Sequence, residues 1–187
     1  YKQEHSLNGA QRIGTIVKER VERGRPALAG GRPLRSQFLP FALPLLGREE
    51  EDEVIDTLRS GWITTGPKVQ RFEQLVREYI GSKHAIAVNS CTAALHLSLA
   101  ALDIGEGDEV ITTPITFAAT ANVIVHQRAT PIFVDVIPHT LNMDPAKLHE
   151  CITRRTKAIM PVHIAGQPCA MEEIYAIACK HGIPVIE

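Results

Sequence analysis

From Phe38 to Glu187 the apolar positions follow two different periods, and the change from one to the other predicts helices first and then buried strands between helices. Over Glu49–Arg59, Val54, Ile55 and Leu58 share one helical face, which Ser60-Gly61 closes. Trp62-Ile63-Thr64-Thr65-Gly66 breaks the pattern as a loop. Pro67 then opens a second helix at its first position, where the missing N–H has no helical partner to lose. Val69, Phe72, Leu75, Val76, Tyr79 and Ile80 recur along it at intervals of three and four, and Gly81 supplies the left-handed stop.

Beyond Gly81 short, continuous apolar runs take over: Ala85–Val88, Glu109–Thr112, Pro131–Val134, Ala158–Val162 and Pro184–Ile186. The stretches between them, Thr92–Leu102, Phe117–His126, Pro145–Cys151 and Met171–His181, have helical patterning and enough length for crossovers. Such crossovers are right-handed and lay helices over both faces of a sheet, whose strands are then apolar throughout. The pattern therefore predicts an α/β domain of three layers, α/β/α, around a mostly parallel sheet. Residues 1–36 stand apart. A basic helix over Gln11–Arg20 is followed by Gly24, Pro26, Gly30, Gly31 and Pro33, which predicts a mobile extension ahead of a domain over 37–187. Glu4, Glu19 and Glu22 dilute its arginines, so a solvated segment is expected rather than a binding patch.

Composition narrows the partners. The 187 residues are 44% apolar and 22% charged with a net charge of −1, which suits one globular domain and gives no electrostatic reason to bind nucleic acid or an anionic membrane. No apolar run approaches the roughly 18 residues that span a bilayer, and the first 30 residues lack a basic-then-apolar leader, so a cytoplasmic, small-molecule protein is expected. Cys91, Cys151, Cys169 and Cys179 form no Cys-x-x-Cys pair and read as buried free thiols. His84, His96, His126 and His181 show no metal-ligand spacing, so no metal site is expected. Tyr1 at the start, and an apolar run that stops at Glu187, read as cuts in a longer chain.

In parallel sheets ligands collect beyond the carboxyl ends of strands, so the loops there carry the candidate chemistry. In Asn89-Ser90-Cys91-Thr92-Ala93-Ala94 a helix opens on small residues. Its first N–H groups and the Thr92 hydroxyl suit a phosphate, while Ser90 equally suits a plain N-cap. Thr113-Pro114-Ile115-Thr116-Phe117 delivers an aromatic ring either to a planar ligand or to the core. His163, in Pro161–Pro168, is a polar contact or proton carrier at the same mouth, or a structural histidine. Neither a Gly-x-Gly-x-x-Gly turn nor a Gly-x-x-x-x-Gly-Lys-Ser/Thr loop is present, which weakens a nucleotide-binding or regulatory α/β domain.

Together, Leu39-Pro40-Phe41, Ser60-Gly61-Trp62-Ile63-Thr64-Thr65-Gly66-Pro67-Lys68, His84–His96, Gly107–Thr112 and Pro161-Val162-His163 resemble the DegT/DnrJ/EryC1/StrS family of nucleotide-sugar aminotransferases. The resemblance spans Phe38–Glu187 and implies a fold-type-I enzyme dependent on pyridoxal 5'-phosphate, a homodimer with its sites at the subunit interface. It implies that Thr92 and Ala93 donate to the cofactor phosphate, Ser90 and Cys91 shape the turn, and Phe117 stacks on the pyridine ring. Thr64 and Thr65 would line the sugar entrance, and His163 would lie near the cofactor without a catalytic task. The family's aspartate and cofactor-binding lysine would follow Glu187. Residues 1–187 would then hold an incomplete large domain with no catalytic residue, and Lys83, Lys157 and Lys180 would be surface lysines. The implied reaction of the complete enzyme moves an amino group from glutamate, leaving 2-oxoglutarate, to a keto-sugar nucleotide in polysaccharide or amino-sugar biosynthesis. A sugar dehydratase of the same family and a non-catalytic remnant are the alternatives. An open sheet edge would make residues 1–187 aggregate when produced alone.

Overall fold

A computed structural model describes residues 26–40 and 42–187. The basic helix expected over Gln11–Arg20, much of the 1–36 extension and Phe41 lie outside them. The chain divides into two compact units, Tyr1–Thr64 and Thr65–Glu187.

In the first unit a 3-10 turn at Ala27–Ala29 precedes helix α1, Arg48–Ser60. Glu49, Glu50 and Glu51 sit at its positive end and Arg59 at its negative end, and the Glu50 carboxylate accepts the Gly47 N–H at 2.6 Å. That bond also holds the Glu50 carboxyl below its usual range. Val54, Ile55 and Leu58, the apolar face expected from the sequence, are exposed.

The second unit opens with α2, Pro67–Ile80, which has proline at its first turn as expected. It ends where Gly81 turns to φ 74° and its N–H reaches the Arg77 carbonyl at 2.9 Å. There follow α3 (Cys91–Ala101), β1 (Glu109–Thr112), α4 (Ala119–His126), β2 (Thr130–Phe133), α5 (Pro145–Leu148, continued by a 3-10 turn at His149–Cys151), β3 (Thr156–Ile159) and α6 (Met171–His181). The three strands form a parallel sheet in the order β2-β1-β3. Val185 adds a single parallel bridge to Ile159.

Side chains alternate across this sheet and divide the core in two. Val110, Ala158 and Met160 pack with Leu99 of α3 and Val123 and Ile124 of α4 on one face. Ile111 and Ile159 pack with Leu148 of α5 and Ile174 and Ala178 of α6 on the other. Helices thus cover both faces, giving the expected α/β/α layering. At the amino ends of the strands Glu109, only 3% exposed, accepts hydrogen bonds from Thr153 Oγ1 (2.5 Å) and from Arg155 Nε and Nη2 (2.9 and 2.5 Å). The Thr153 hydroxyl, followed by Arg155, holds the Glu109 carboxyl below its ordinary value against the opposing effect of burial.

Three expected strands differ: in place of Ala158–Val162, β3 covers Thr156–Ile159 and stops short of Pro161, and the other two form no strand. Ala85–Val88 is irregular: Ile86 is 82% exposed, and the Ala87 N–H goes to Glu73 Oε1 on α2 at 2.8 Å rather than to a ladder. An apolar run becomes a strand only when a neighbour offers carbonyls and amides in register, and no described strand lies beside this one. Pro184–Ile186 makes one bridge instead of a strand, because Pro184 has no N–H to donate; its carbonyl still accepts from Ile159 at 3.0 Å.

Candidate functional site at the carboxyl edge of the sheet

From β1 the chain moves out to β2 and then crosses back to β3 on the other side of β1, so the order reverses between β1 and β3. Loops leaving such neighbours diverge to opposite faces and open a crevice at their carboxyl ends. Thr112 fastens the two strands there, its buried hydroxyl donating to the Met160 carbonyl at 2.9 Å. The segments reaching this edge are Thr113–Ala118, Pro161–Ala170 and the residues after Val185. α3 reaches it too. Its carboxyl end leads within a few residues into the start of β1, so its 11 residues, about 16 Å of helix, run back toward the carboxyl edge alongside α4.

Local chemistry sets the start of α3. Ser90 is extended (φ −162°, ψ 156°) and its Oγ accepts the Ala93 N–H at 3.1 Å, while its carbonyl accepts the Ala94 N–H at 3.1 Å. Capping therefore uses Ala93. The Cys91 and Thr92 amides form no bond within the described residues, and both residues are exposed. Two donors and a hydroxyl at the positive end of a helix are left for an anion.

Phe117 is 81% exposed at the end of the β1 loop, outside both core clusters. Its turn is built by the Thr120 N–H on the Phe117 carbonyl (3.0 Å) and by a hydroxyl pair, Thr116 with Thr120 at 2.8 Å. The ring is free to take a planar partner. Thr64 ends the first unit and Thr65 begins the second, and both are exposed. Lys83, Lys157 and Lys180 are exposed as expected.

His163 is engaged within the protein at both ring nitrogens. Nδ1 accepts the Cys169 N–H at 3.0 Å, and Nε2 lies 3.1 Å from Glu187 Oε2. The other Glu187 oxygen accepts from the Tyr175 hydroxyl. The Tyr175 bond, then that of His163, lowers the Glu187 carboxyl below its ordinary value despite partial burial, and the same bond raises the Tyr175 phenol. The turn after His163 places Ala165 at φ 52°, ψ 28°, a left-handed position with a side chain. Asn142, 3% exposed, holds it: Oδ1 accepts the Ile164 N–H (3.0 Å), and Nδ2 donates to the carbonyls of Gln167 (2.9 Å) and Pro168 (3.0 Å).

The sequence reading omits Asn142, Tyr175 and Glu187, whose partners lie 12 to 26 residues away, beyond the reach of local pattern. The four cysteines are unpaired, but only Cys169 is buried, whereas Cys91 and Cys179 are exposed because α3 and α6 turn those positions outward. Burial raises the Cys169 thiol, whose Sγ donates to the Val162 carbonyl at 3.2 Å, and so disfavours the thiolate. Among the described residues no group of three metal-ligating side chains converges, and no helix is long and apolar enough to cross a membrane.

Comparison with known proteins gives this edge its context. The model of the DegT/DnrJ/EryC1/StrS aminotransferase family matches residues 44–187. The spore coat polysaccharide biosynthesis protein SpsC of Bacillus subtilis is 57% identical over 153 residues, which are 82% of this chain and 39% of that protein. Among solved structures, a putative sugar aminotransferase from Streptococcus pneumoniae in its PMP form superposes with a TM-score of 0.72 at 43% identity, over 76% of this chain and 36% of that one. An aminotransferase from Psychrobacter cryohalolentis gives 0.74 at 44% identity, over 79% and 38%. The chain thus spans about two fifths of the relatives it matches.

Proposed function

This chain belongs to the DegT/DnrJ/EryC1/StrS aminotransferase family, and from that premise we propose that its carboxyl edge holds pyridoxal 5'-phosphate for amino transfer to a sugar. The observation that carries the reading is the pairing of unused donors with an unused ring: the Cys91 and Thr92 amides at the start of α3, and Phe117 exposed on the neighbouring loop. The donor set fits the group. A phosphate needs N–H and O–H donors at a helix N-terminus, and a heteroaromatic ring needs a flat apolar face.

In this reading Thr92 binds the phosphate through its amide and hydroxyl, as the resemblance implies; the Ala93 N–H, the other donor it implies, is engaged by Ser90 Oγ, and the Cys91 amide takes that place. Phe117 orients the ring by stacking. Thr64 and Thr65 are read as sugar contacts, and the turn after His163 as part of the wall at the carboxyl edge of the sheet. When bound, the cofactor supplies an electron sink for bond breaking at the amino-bearing carbon. Covalent attachment and the partner of the ring nitrogen are assigned to no residue among 1–187. The complete enzyme is read as a cytoplasmic homodimer that transfers nitrogen from glutamate to a keto-sugar nucleotide. Residues 1–36 are read as an extension and 37–187 as the first part of its large domain.

The test is cofactor binding by the full-length protein, followed in parallel with release of 2-oxoglutarate from glutamate on addition of keto-sugar nucleotides. Thr92→Ala removes a charge-assisted donor and is expected to weaken cofactor binding roughly tenfold. Phe117→Leu removes stacking and should weaken it several-fold. Unchanged affinity in both variants would overturn the assignment of this edge.

A further inference from the structure

We propose that Glu187 is a positioning residue that holds the His163 imidazole as its neutral Nε2–H tautomer and thereby fixes the turn following β3 at the mouth of the site. The assignment follows from what each partner can do. The Cys169 backbone N–H only donates, and it points at His163 Nδ1 from 3.0 Å, so Nδ1 must carry a lone pair. In the neutral ring the proton is then on Nε2, where Glu187 Oε2 accepts it at 3.1 Å. The acceptor is itself fixed, since Tyr175 on α6 donates to the second carboxylate oxygen.

Of the titratable groups around this imidazole, Glu187 bonds to it directly, Tyr175 is linked to it only through Glu187, and the Cys169 thiol belongs to the residue whose N–H meets Nδ1. The thiol is turned away, donating to the Val162 carbonyl, and burial keeps it protonated. The carboxylate is kept ionised by its two donors. His163 therefore has no unoccupied nitrogen with which to carry a proton, and presents only its ring faces and a rigid backbone. Glu187 follows the segment in which Val185 bridges Ile159, so the contact ties the ends of two neighbouring extended segments. Asn142 completes the work on the same turn through Ile164, Gln167 and Pro168. This division separates a histidine that orients a wall from one that shuttles protons.

The relevance of the turn to catalysis rests on the proposed function, but the tautomer does not, so it is measured without cofactor. Full-length protein labelled with 15N-histidine is compared with Glu187→Gln and Glu187→Ala, with His163→Gln to assign the signals. Wild type at neutral pH should show an unprotonated Nδ1 and a protonated Nε2. Glu187→Gln, which keeps an acceptor oxygen, should retain that pattern. Glu187→Ala should move both shifts toward tautomer-averaged values and speed exchange of the Cys169 amide about tenfold or more. A wild-type ring protonated at Nδ1, singly or doubly, overturns the proposal whatever the variants do. So does Glu187→Ala with unchanged ring shifts and unchanged Cys169 protection. Should Glu187→Ala fail to fold, the wild-type and Glu187→Gln spectra decide. Failure of the wild-type protein to bind the cofactor, with the tautomer as proposed, would count against the proposed function alone.

Discussion

Asn142 offers the sharpest quantitative test of how the site's wall is held. Its side chain is buried and makes three hydrogen bonds to one turn, two as donor and one as acceptor. Asn142→Ala deletes all three. At about 1 kcal/mol net per bond the ceiling is near 3 kcal/mol. The Gln167 and Pro168 carbonyls belong to exposed residues and regain water, whereas the Ile164 amide is half-buried, so about 2 kcal/mol is expected. Asn142→Asp is the discriminating change. It retains an acceptor for Ile164 but sets a carboxylate oxygen against two carbonyl oxygens now 2.9 and 3.0 Å from a donor. Repulsion and desolvation of the charge should make Asp worse than Ala by roughly a further 1–2 kcal/mol at neutral pH. Protonation returns one donor, so the gap between Asp and Ala should close as pH falls. Urea denaturation of the full-length protein gives the stabilities, and hydrogen exchange at the Ile164 amide localises the effect; 2 kcal/mol corresponds to roughly 30-fold faster exchange if the turn opens locally. Equal stability of wild type and Asn142→Asp at pH 7 would refute the assigned amide orientation, and with it the reasoning about the turn.

Two further predictions concern the scaffold. Glu109→Gln should cost on the order of 1–2 kcal/mol at neutral pH, a figure kept low because Arg155, the charged partner, is 69% exposed. The folded Glu109 carboxyl lies below its ordinary value, so its contribution is complete above the unfolded value of about 4.3 and disappears as pH falls through the folded one. The stability difference between wild type and Glu109→Gln, measured by denaturation across that range, should therefore narrow on acidification; a gap that widens would contradict the pairing. Gly81→Ala isolates a backbone term, because a Cβ there meets nothing within 4 Å yet φ is +74°. It should destabilise by about 1 kcal/mol in a thermal melt, and a neutral result would mean the helix ends elsewhere.

Much of the architecture is written locally. Pro67 and Gly81 delimit α2 and Ser90 caps α3, because caps satisfy backbone groups within a few positions. Glu109–Thr112 and Met171–His181 also match their expected ranges residue for residue, on apolar run and periodicity, although the strand's backbone is satisfied only by the distant Thr130–Phe133 and Thr156–Ile159. The resemblance to the family could be seen for the same reason, since its motifs are contiguous strings. What tertiary structure alone decided are the pairings between distant segments. Ala85–Val88 has a strand's composition but no neighbour in register, and Pro184–Ile186 keeps a single bridge. The order β2-β1-β3, which opens the crevice, depends on which side of β1 the returning chain chooses. Asn142, Tyr175 and Glu187 look like ordinary polar residues in the sequence; only folding brings their donors and acceptors to partners 12 to 26 positions away, and a hydrogen bond has no range along the chain, only in space.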